Sequence, residues 1–294
     1  MAGVAYASAT TSVFAVIGDP VRHSLSPALH AAAIRASGID ATYVAFEVAA
    51  GSAVEAIRGA TALGLAGLSV TMPHKQSVIA ALDALDPVAA RLDAVNCVSF
   101  AGPVHERVAR GHNTDGDGFV DALQHELAIH PADHRVAVLG AGGAARSVVL
   151  ALAEAGANEV IVVNRNHERA EQAAELAGPR GRVGSVDDVS GADVVVNATS
   201  VGLGTAEGNR NGPLPLDPAW LHSGQVVADL IYHPAATPLL LAAAERGCRV
   251  MNGLCMLAHQ AARQFTIWTG FAPPVTEMLA AARAELAVRA HDAG

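Results

Sequence analysis

The chain has 294 residues, is 51% hydrophobic and only 16% charged, which suits about two folded domains at ~150 residues each and excludes a disordered chain. A formal net charge of −9 argues against nucleic acid or an anionic membrane as partner, since both need basic surfaces. Three cysteines are too few for a disulfide framework and suit a reducing, cytoplasmic setting.

The first eighteen residues are uncharged, but no Lys or Arg precedes Arg22, so the basic region of a secretion signal is absent. Val13–Ile17 reads instead as a buried strand and residues 1–11 as a frayed tail. No uninterrupted apolar run reaches the ~18 residues of a membrane span. Further apolar, β-branched runs follow at Ala41–Val48, Leu68–Thr71, Val95–Phe100, Val136–Leu139, Val160–Val163, Val194–Ala198 and Val226–Ile231. Between them lie stretches with helical spacing, among them Pro27–Ser37, Ser52–Leu63, Ala144–Glu154 and Glu168–Ala177. This alternation predicts an α/β chain of βαβ units with parallel, two-sided sheets. Gly202 to Pro215, with four glycines and two prolines, reads as a mobile loop. Leu254–Trp268 and Val275–Val288 read as two consecutive helices broken at Thr-Gly-Phe-Ala-Pro-Pro.

The strongest local signal is Gly140-Ala141-Gly142-Gly143-Ala144-Ala145, a G-x-G-x-x-A turn after the Val136–Leu139 strand and before a helix. The first glycine permits the turn, the second lets the backbone touch a pyrophosphate, and the small last residue lets helix and strand approach. The helix start offers free N–H groups and a partial positive charge to phosphates. The next strand ends not in the Asp or Glu of an NAD site but in Asn164-Arg165, with Arg169 four residues on. Arginine grips a 2′-phosphate that a carboxylate would repel, so the cofactor reads as NADP.

Polar groups gather after other strands: His23-Ser24-Leu25-Ser26-Pro27, Ser69-Val70-Thr71-Met72-Pro73-His74-Lys75, Asn96, and Gly111-His112-Asn113-Thr114-Asp115-Gly116. Ligands of open α/β sheets bind at such carboxyl ends, and this set suits a small polyhydroxylated acid. Each also has a plain reading. Ser26-Pro27 fits an ordinary helix start, Asn113–Gly116 a turn, and Lys75 a solvated lysine. The thirteen histidines and three cysteines show no H-E-x-x-H or C-x-x-C spacing, so no metal is expected. Cys255 reads as core rather than nucleophile.

Taken in order, these stretches resemble the shikimate dehydrogenase family, over residues from about 14 to 285. They begin with Gly18-Asp19-Pro20 and His23–Pro27, and continue through Val70–Lys75, Ala94-Val95-Asn96, Asn113–Gly116, Gly140–Ala145, and Asn164-Arg165 with Arg169-Ala170. Asn197-Ala198-Thr199-Ser200, Asp229 with Tyr232, Thr237–Leu240, and Gly253–Leu257 with Gln260 complete them.

The resemblance implies a discontinuous α/β substrate domain, residues 1–115 with 254–294 returning to it, plus a Rossmann-like NADP domain, residues 116–253. It implies NADPH-dependent reduction of 3-dehydroshikimate to shikimate, in aromatic amino acid and chorismate biosynthesis, by a monomer or homodimer. By position it makes Lys75 and Asp115 the catalytic pair, with Asp115 also on a substrate hydroxyl. Ser24, Ser26, Ser69, Thr71, Asn96, Tyr232 and Gln260 become substrate groups. Beside the glycine turn (Gly140, Ala141, Gly142, Gly143, Ala144) and Asn164, Arg165 and Arg169, it brings Thr199, Leu230, Gly253 and Met256 to the cofactor. Met256 equally suits a helix core. The chain departs from the family's usual residues at Ser69 (more often Asn), Cys97 (Thr), Asn166 (Thr or Ser) and Ser200-Val201-Gly202-Leu203 (Pro-x-Gly-Met). A quinate or amino-analogue dehydrogenase and a non-catalytic ligand sensor are the competing readings.

Overall fold

A computed structural model describes residues 7–292. The chain divides into two compact units, residues 1–114 with 261–294 and residues 115–260. Of the expected tail, residues 1–6 lie outside the described residues. Residues 8–11 are not frayed: they form a turn whose Thr10 and Thr11 hydroxyls donate to the Asp40 carboxylate at 3.3 and 2.7 Å.

In the first unit, β1 (Ser12–Gly18), α1 (Ser26–Ser37), β2 (Ala41–Glu47), α2 (Ala53–Leu63) and β3 (Gly67–Val70) form the expected alternation. Both helices stop at a glycine in the left-handed region, Gly38 and Gly64, which an L side chain would strain. Then come β4 (Ala84–Leu85), α3 (Pro87–Leu92), β5 (Cys97–Ala101) and β6 (Val108–His112). The sheet runs β2-β1-β3-β5-β6-β4.

The expectation of a wholly parallel sheet fails here. β5 pairs antiparallel with both β3 and β6. For β5 and β6 the reason is local: the chain from Ala101 to Val108 is too short for a crossover and can join only antiparallel neighbours. β6 escapes notice in the sequence because Val-Ala-Arg-Gly-His buries alternate residues rather than presenting an apolar run.

The second unit opens with α4 (Asp115–Leu127). It continues through β7 (Arg135–Leu139), α5 (Gly143–Glu154), β8 (Glu159–Val163), α6 (His167–Glu175), β9 (Gly181–Val183), β10 (Val194–Asn197), β11 (Val226–Asp229), α7 (Pro238–Glu245) and β12 (Arg249–Met251). Every pairing in its sheet is parallel, in the order β12-β11-β10-β7-β8-β9. Alternate residues feed opposite faces, as the pleat requires. Val136, Val138, Val194, Val196, Val226 and Ala228 enter one core cluster, whereas Ala137, Leu139, Val195 and Val227 enter the other. The order reverses between β7 and β10, the place where doubly wound sheets bind ligands.

Last come α8 (Gly253–Thr269) and α9 (Val275–Asp292). The unit boundary falls inside α8, after Gln260. Its first turns place Cys255 and Met256 in the second unit's core. Its last turns belong to the first unit, where Trp268 stacks on Phe14 at 5.2 Å and donates to the Val98 carbonyl at 3.0 Å. Gly67 makes room for that indole, since a Cβ there would lie 2.5 Å from it. α9 packs along α1.

Candidate functional site

In the first unit, the segments after β1, β2 and β3 are tied together by their backbones. Thr71 N–H donates to Ile17 O, Asp19 N–H to Met72 O and Val48 N–H to Gly18 O, at 2.9–3.0 Å. The buried His74 ring bonds the Val48 carbonyl at 2.7 Å. The Lys75 carbonyl accepts from Val95 N–H at 2.7 Å, so the backbone at Lys75 is fixed while its side chain stays half-buried. Asn96 is buried, and its amide exchanges hydrogen bonds with Thr114: Oδ1 accepts from the Thr114 N–H at 2.8 Å and Nδ2 donates to Oγ1 at 3.0 Å. Ser24 and Ser26 lie at the start of α1, where Leu25 provides no side-chain cap. The Ser24 hydroxyl takes over that task and accepts from Ser26 N–H at 3.2 Å. Ser24, Ser26, Ser69, Thr71, Lys75 and Asn96 thus all sit on these strand ends.

Ser69 is held differently from an open substrate hydroxyl. It is 5% exposed, accepts from Tyr43 Oη at 2.7 Å and donates to Gln264 Oε1 at 2.5 Å. Its single proton is therefore committed inside the protein. Gln264 continues the chain by donating to the Asn96 carbonyl at 3.2 Å. Tyr43 and Gln264 escaped the sequence reading. Gln264, one turn after Gln260 on the otherwise apolar face of α8, was the available signal; Tyr43 in a strand gave none. His30 lies parallel to Tyr43 at 4.3 Å and is wholly buried, which pushes its pKa from 6.5 down to about 3. Burial likewise pushes the Tyr43 phenol up, so both rings are neutral.

In the second unit, Gly140 has φ +107°, and a Cβ there would crowd the Ala198 carbonyl at 3.0 Å. Gly142 and Gly143 differ: a Cβ at either would meet nothing within 4 Å. They are exposed, as is Ala144, and Gly142 is the uncapped N-cap of α5. Bare backbone N–H groups on open space at a helix start suit a phosphate group.

Beyond β8, Asn164 donates to the Asn166 carbonyl at 2.9 Å, and the Asn166 side chain caps α6 by accepting from Arg169 N–H at 3.0 Å. The Arg165 and Arg169 guanidiniums are exposed and have no partner among the described residues. At the ends of β10 and β11, Asp229 is buried, accepting from Asn197 Nδ2 at 3.0 Å, Ile231 N–H at 3.0 Å and Thr237 Oγ1 at 2.8 Å. Burial outweighs these donors and its pKa is raised. Asn197 Oδ1 in turn fixes Thr199 through its N–H and hydroxyl, at 3.1 and 2.7 Å.

Gly253 lies against the β11 exit, where a Cβ would stand 2.0 Å from the Leu230 carbonyl oxygen. Met256, 8% exposed, belongs to the core, with half-buried Leu230 packed against that cluster. Cys255 is a buried core residue that forms no disulfide. Asp115 heads α4 and is buried. Gly118, one turn on, has the Gln260 backbone 2.5 Å from where its Cβ would be, so α4 and the start of α8 touch. Tyr232 is half-buried. The glycine-rich loop is anchored by Glu207, whose carboxylate accepts from Ala235 and Ala236 N–H at 2.8 and 2.9 Å, and by an ion pair between Arg210 and Glu245 of α7. Among the described residues no group of three His, Cys, Asp or Glu could hold a metal ion, and no helix is long and apolar enough to cross a membrane.

The chain is similar to known proteins along most of its length. Residues 16–98 match the shikimate dehydrogenase substrate binding domain, residues 122–203 the shikimate / quinate 5-dehydrogenase family, and residues 253–283 the shikimate 5′-dehydrogenase C-terminal domain. A shikimate dehydrogenase (NADP(+)) of Moorella thermoacetica is 46% identical over 280 residues, 92% of each chain. One of Halorubrum lacusprofundi is 48% identical over 283 residues, 93% of this chain and 99% of that one. The crystal structure of shikimate 5-dehydrogenase from Thermus thermophilus, in complex with NADP(H) and shikimate, superposes with a TM-score of 0.84 at 37% identity. That alignment covers 93% of this chain and 99% of that one.

Proposed function

The chain belongs to the shikimate dehydrogenase family, and we propose that it catalyses the NADP-dependent interconversion of 3-dehydroshikimate and shikimate, in the cytoplasm. The observation that carries the cofactor choice is the end of β8, where two exposed guanidiniums with no partner among the described residues stand in place of a carboxylate. They fit a 2′-phosphate, and the open backbone at Gly142 and Gly143 fits the pyrophosphate.

When bound, the nicotinamide supplies the hydride that reduces the ring ketone. The Lys75 ammonium donates a proton to the ketone oxygen as negative charge develops there, which is worth about 10²–10⁴ in rate for general acid assistance. Asp115 completes the acid–base pair and accepts from a ring hydroxyl. Ser24 and Ser26 hold the carboxylate, helped by the N-terminal dipole of α1. Thr71, Asn96, Tyr232 and Gln260 orient the ring. Thr199, Leu230, Gly253 and Met256 shape the nicotinamide side.

Ser69 favours one alternative. With its proton committed to Gln264, it cannot donate to a ring hydroxyl as the family's Asn would, so quinate is the second substrate to test. Reduced-nicotinamide absorbance, with shikimate and quinate crossed against NADP and NAD, decides between them. Turnover of shikimate with NADP alone is the expected result. Quinate with NAD would reverse both specificity assignments, and no turnover by folded protein would overturn the enzymatic reading.

A further inference from the structure

The segment that carries the carboxylate hydroxyls is tied to the far end of the chain. Arg289, in the last turn of α9, donates from Nη1 to the His23 carbonyl at 2.8 Å and from Nη2 to the Ser24 carbonyl at 3.2 Å. Its Nε donates to Glu285, one turn earlier on the same helix, at 2.9 Å. All three sides of one guanidinium are thereby used, and the planar fork spans two successive carbonyls in a way an ammonium cannot. Those carbonyls lie just ahead of α1, whose ladder starts with Leu29 N–H on the Leu25 carbonyl. Elsewhere the loop is tied by backbone bonds from Asp19 N–H to the Met72 carbonyl and from Ser24 N–H to the Val21 carbonyl, both at 2.9 Å.

We propose that Arg289 is a positioning residue for substrate binding. It acts through Ser24, by locking the peptide on either side of that residue so that Oγ stays aimed while it caps Ser26 N–H. The inference rests on the reading of Ser24 and Ser26 as carboxylate-binding hydroxyls. With its three nitrogens engaged by Glu285, His23 and Ser24, Arg289 acts on the substrate only through this loop. Its effect should therefore fall on the KM for shikimate and spare both kcat and the KM for NADP.

The test is a double-mutant cycle with Ser24→Ala, Arg289→Ala and the pair, alongside Arg289→Lys. Arg289→Ala is expected to raise the shikimate KM about tenfold, the loss of one charged hydrogen bond's worth of binding. The pair should be no worse than Ser24→Ala alone, because both act on one contact. Arg289→Lys, able to reach one carbonyl at a time, should recover part of the loss. Hydrogen exchange without substrate provides an arm independent of the assigned reaction. Peptide 21–28 should exchange faster in Arg289→Ala while peptide 143–154 stays at the wild-type rate.

Additive KM penalties, a fall in kcat at unchanged KM, or unaltered exchange in 21–28 would each overturn the proposal. Failure of the wild-type chain to turn over shikimate would instead overturn the functional reading, leaving the exchange arm to judge Arg289. If Arg289→Ala does not fold, Arg289→Lys carries both measurements.

Discussion

Cofactor choice is the sharpest place to test the chemistry, because β8 has opposite arrangements at its two ends. At its start, Glu159 is shared by Arg135 at 2.9 Å and Arg182 at 2.6 Å, and Arg182 also binds Asp188 at 2.7 Å. Those arginines are neutralised and offer little to a ligand. At its end, Arg165 and Arg169 are exposed and unpartnered among the described residues, so a phosphate need displace nothing to reach them. A hydrogen bond to a charged group contributes about 1.5–3 kcal/mol, or about 10- to 150-fold in affinity. Arg165→Ala should therefore lower kcat/KM for NADPH by about that factor and leave kcat/KM for NADH within about twofold. Arg169→Ala should act in the same direction. The NADPH preference should also shrink as salt rises, because exposed charges are screened over ~10 Å at 0.1 M. The assay is initial-rate kinetics with both cofactors at saturating 3-dehydroshikimate. Equal losses with NADPH and NADH, or a wild-type preference for NADH, would refute the argument.

Lys75→Ala should lower turnover by at least ~10² in a protein that stays folded, since the bond from Val95 N–H to the Lys75 carbonyl survives the substitution; near-full turnover would remove Lys75 from the reaction. Two glycines should separate stability from binding. Gly253→Ala drives a Cβ into the Leu230 carbonyl and should cost about 1–3 kcal/mol or more in chemical denaturation. Gly142→Ala meets nothing and should stay within ~0.5 kcal/mol of wild type, yet weaken NADP binding measurably in a fluorescence titration. His30, whose burial holds its pKa at about 3 against 6.5 when unfolded, is protonated far more readily in the unfolded chain. Its contribution to stability is complete above 6.5 and is lost as pH falls toward 3, amounting to about 2 kcal/mol by about pH 5. Denaturation curves at several pH values should show His30→Leu with a shallower acid slope than wild type; parallel slopes would reject this account.

What the sequence revealed and what it hid divide along the range of the contacts involved. β1, β7, β8, β10 and β11 are continuous apolar runs because each is a fully flanked parallel strand, and periodicity reports that directly. The glycine turn was legible for a related reason: its function lies in its own backbone, so six consecutive residues contain the whole argument. β4, β9 and β12 are two or three residues long and β6 alternates. None offers a local run to detect, and only pairing with neighbours defines them. The antiparallel insertion of β5 followed from a loop length whose meaning depended on recognising β6 first.

Ser69 shows the same limit at the level of chemistry. Its place in a strand-end motif points to a substrate hydroxyl, and residues near it in the chain support that assignment. Its hydrogen bonds, however, go to Tyr43, 26 residues before it, and to Gln264, 195 residues after it. A hydroxyl has one proton, and which acceptor takes it is decided by a helix from the other end of the sequence. The family's Asn would carry two amide hydrogens and could meet an internal acceptor while still facing a ligand; Ser cannot do both. Replacing Gln264 by Leu would release the Ser69 proton, while Gln264→Glu would keep an acceptor in place. If ring-hydroxyl selectivity is governed by that proton, Gln264→Leu should shift the ratio of shikimate to quinate turnover and Gln264→Glu should not, whereas equal ratios in both variants would separate the buried relay from substrate choice.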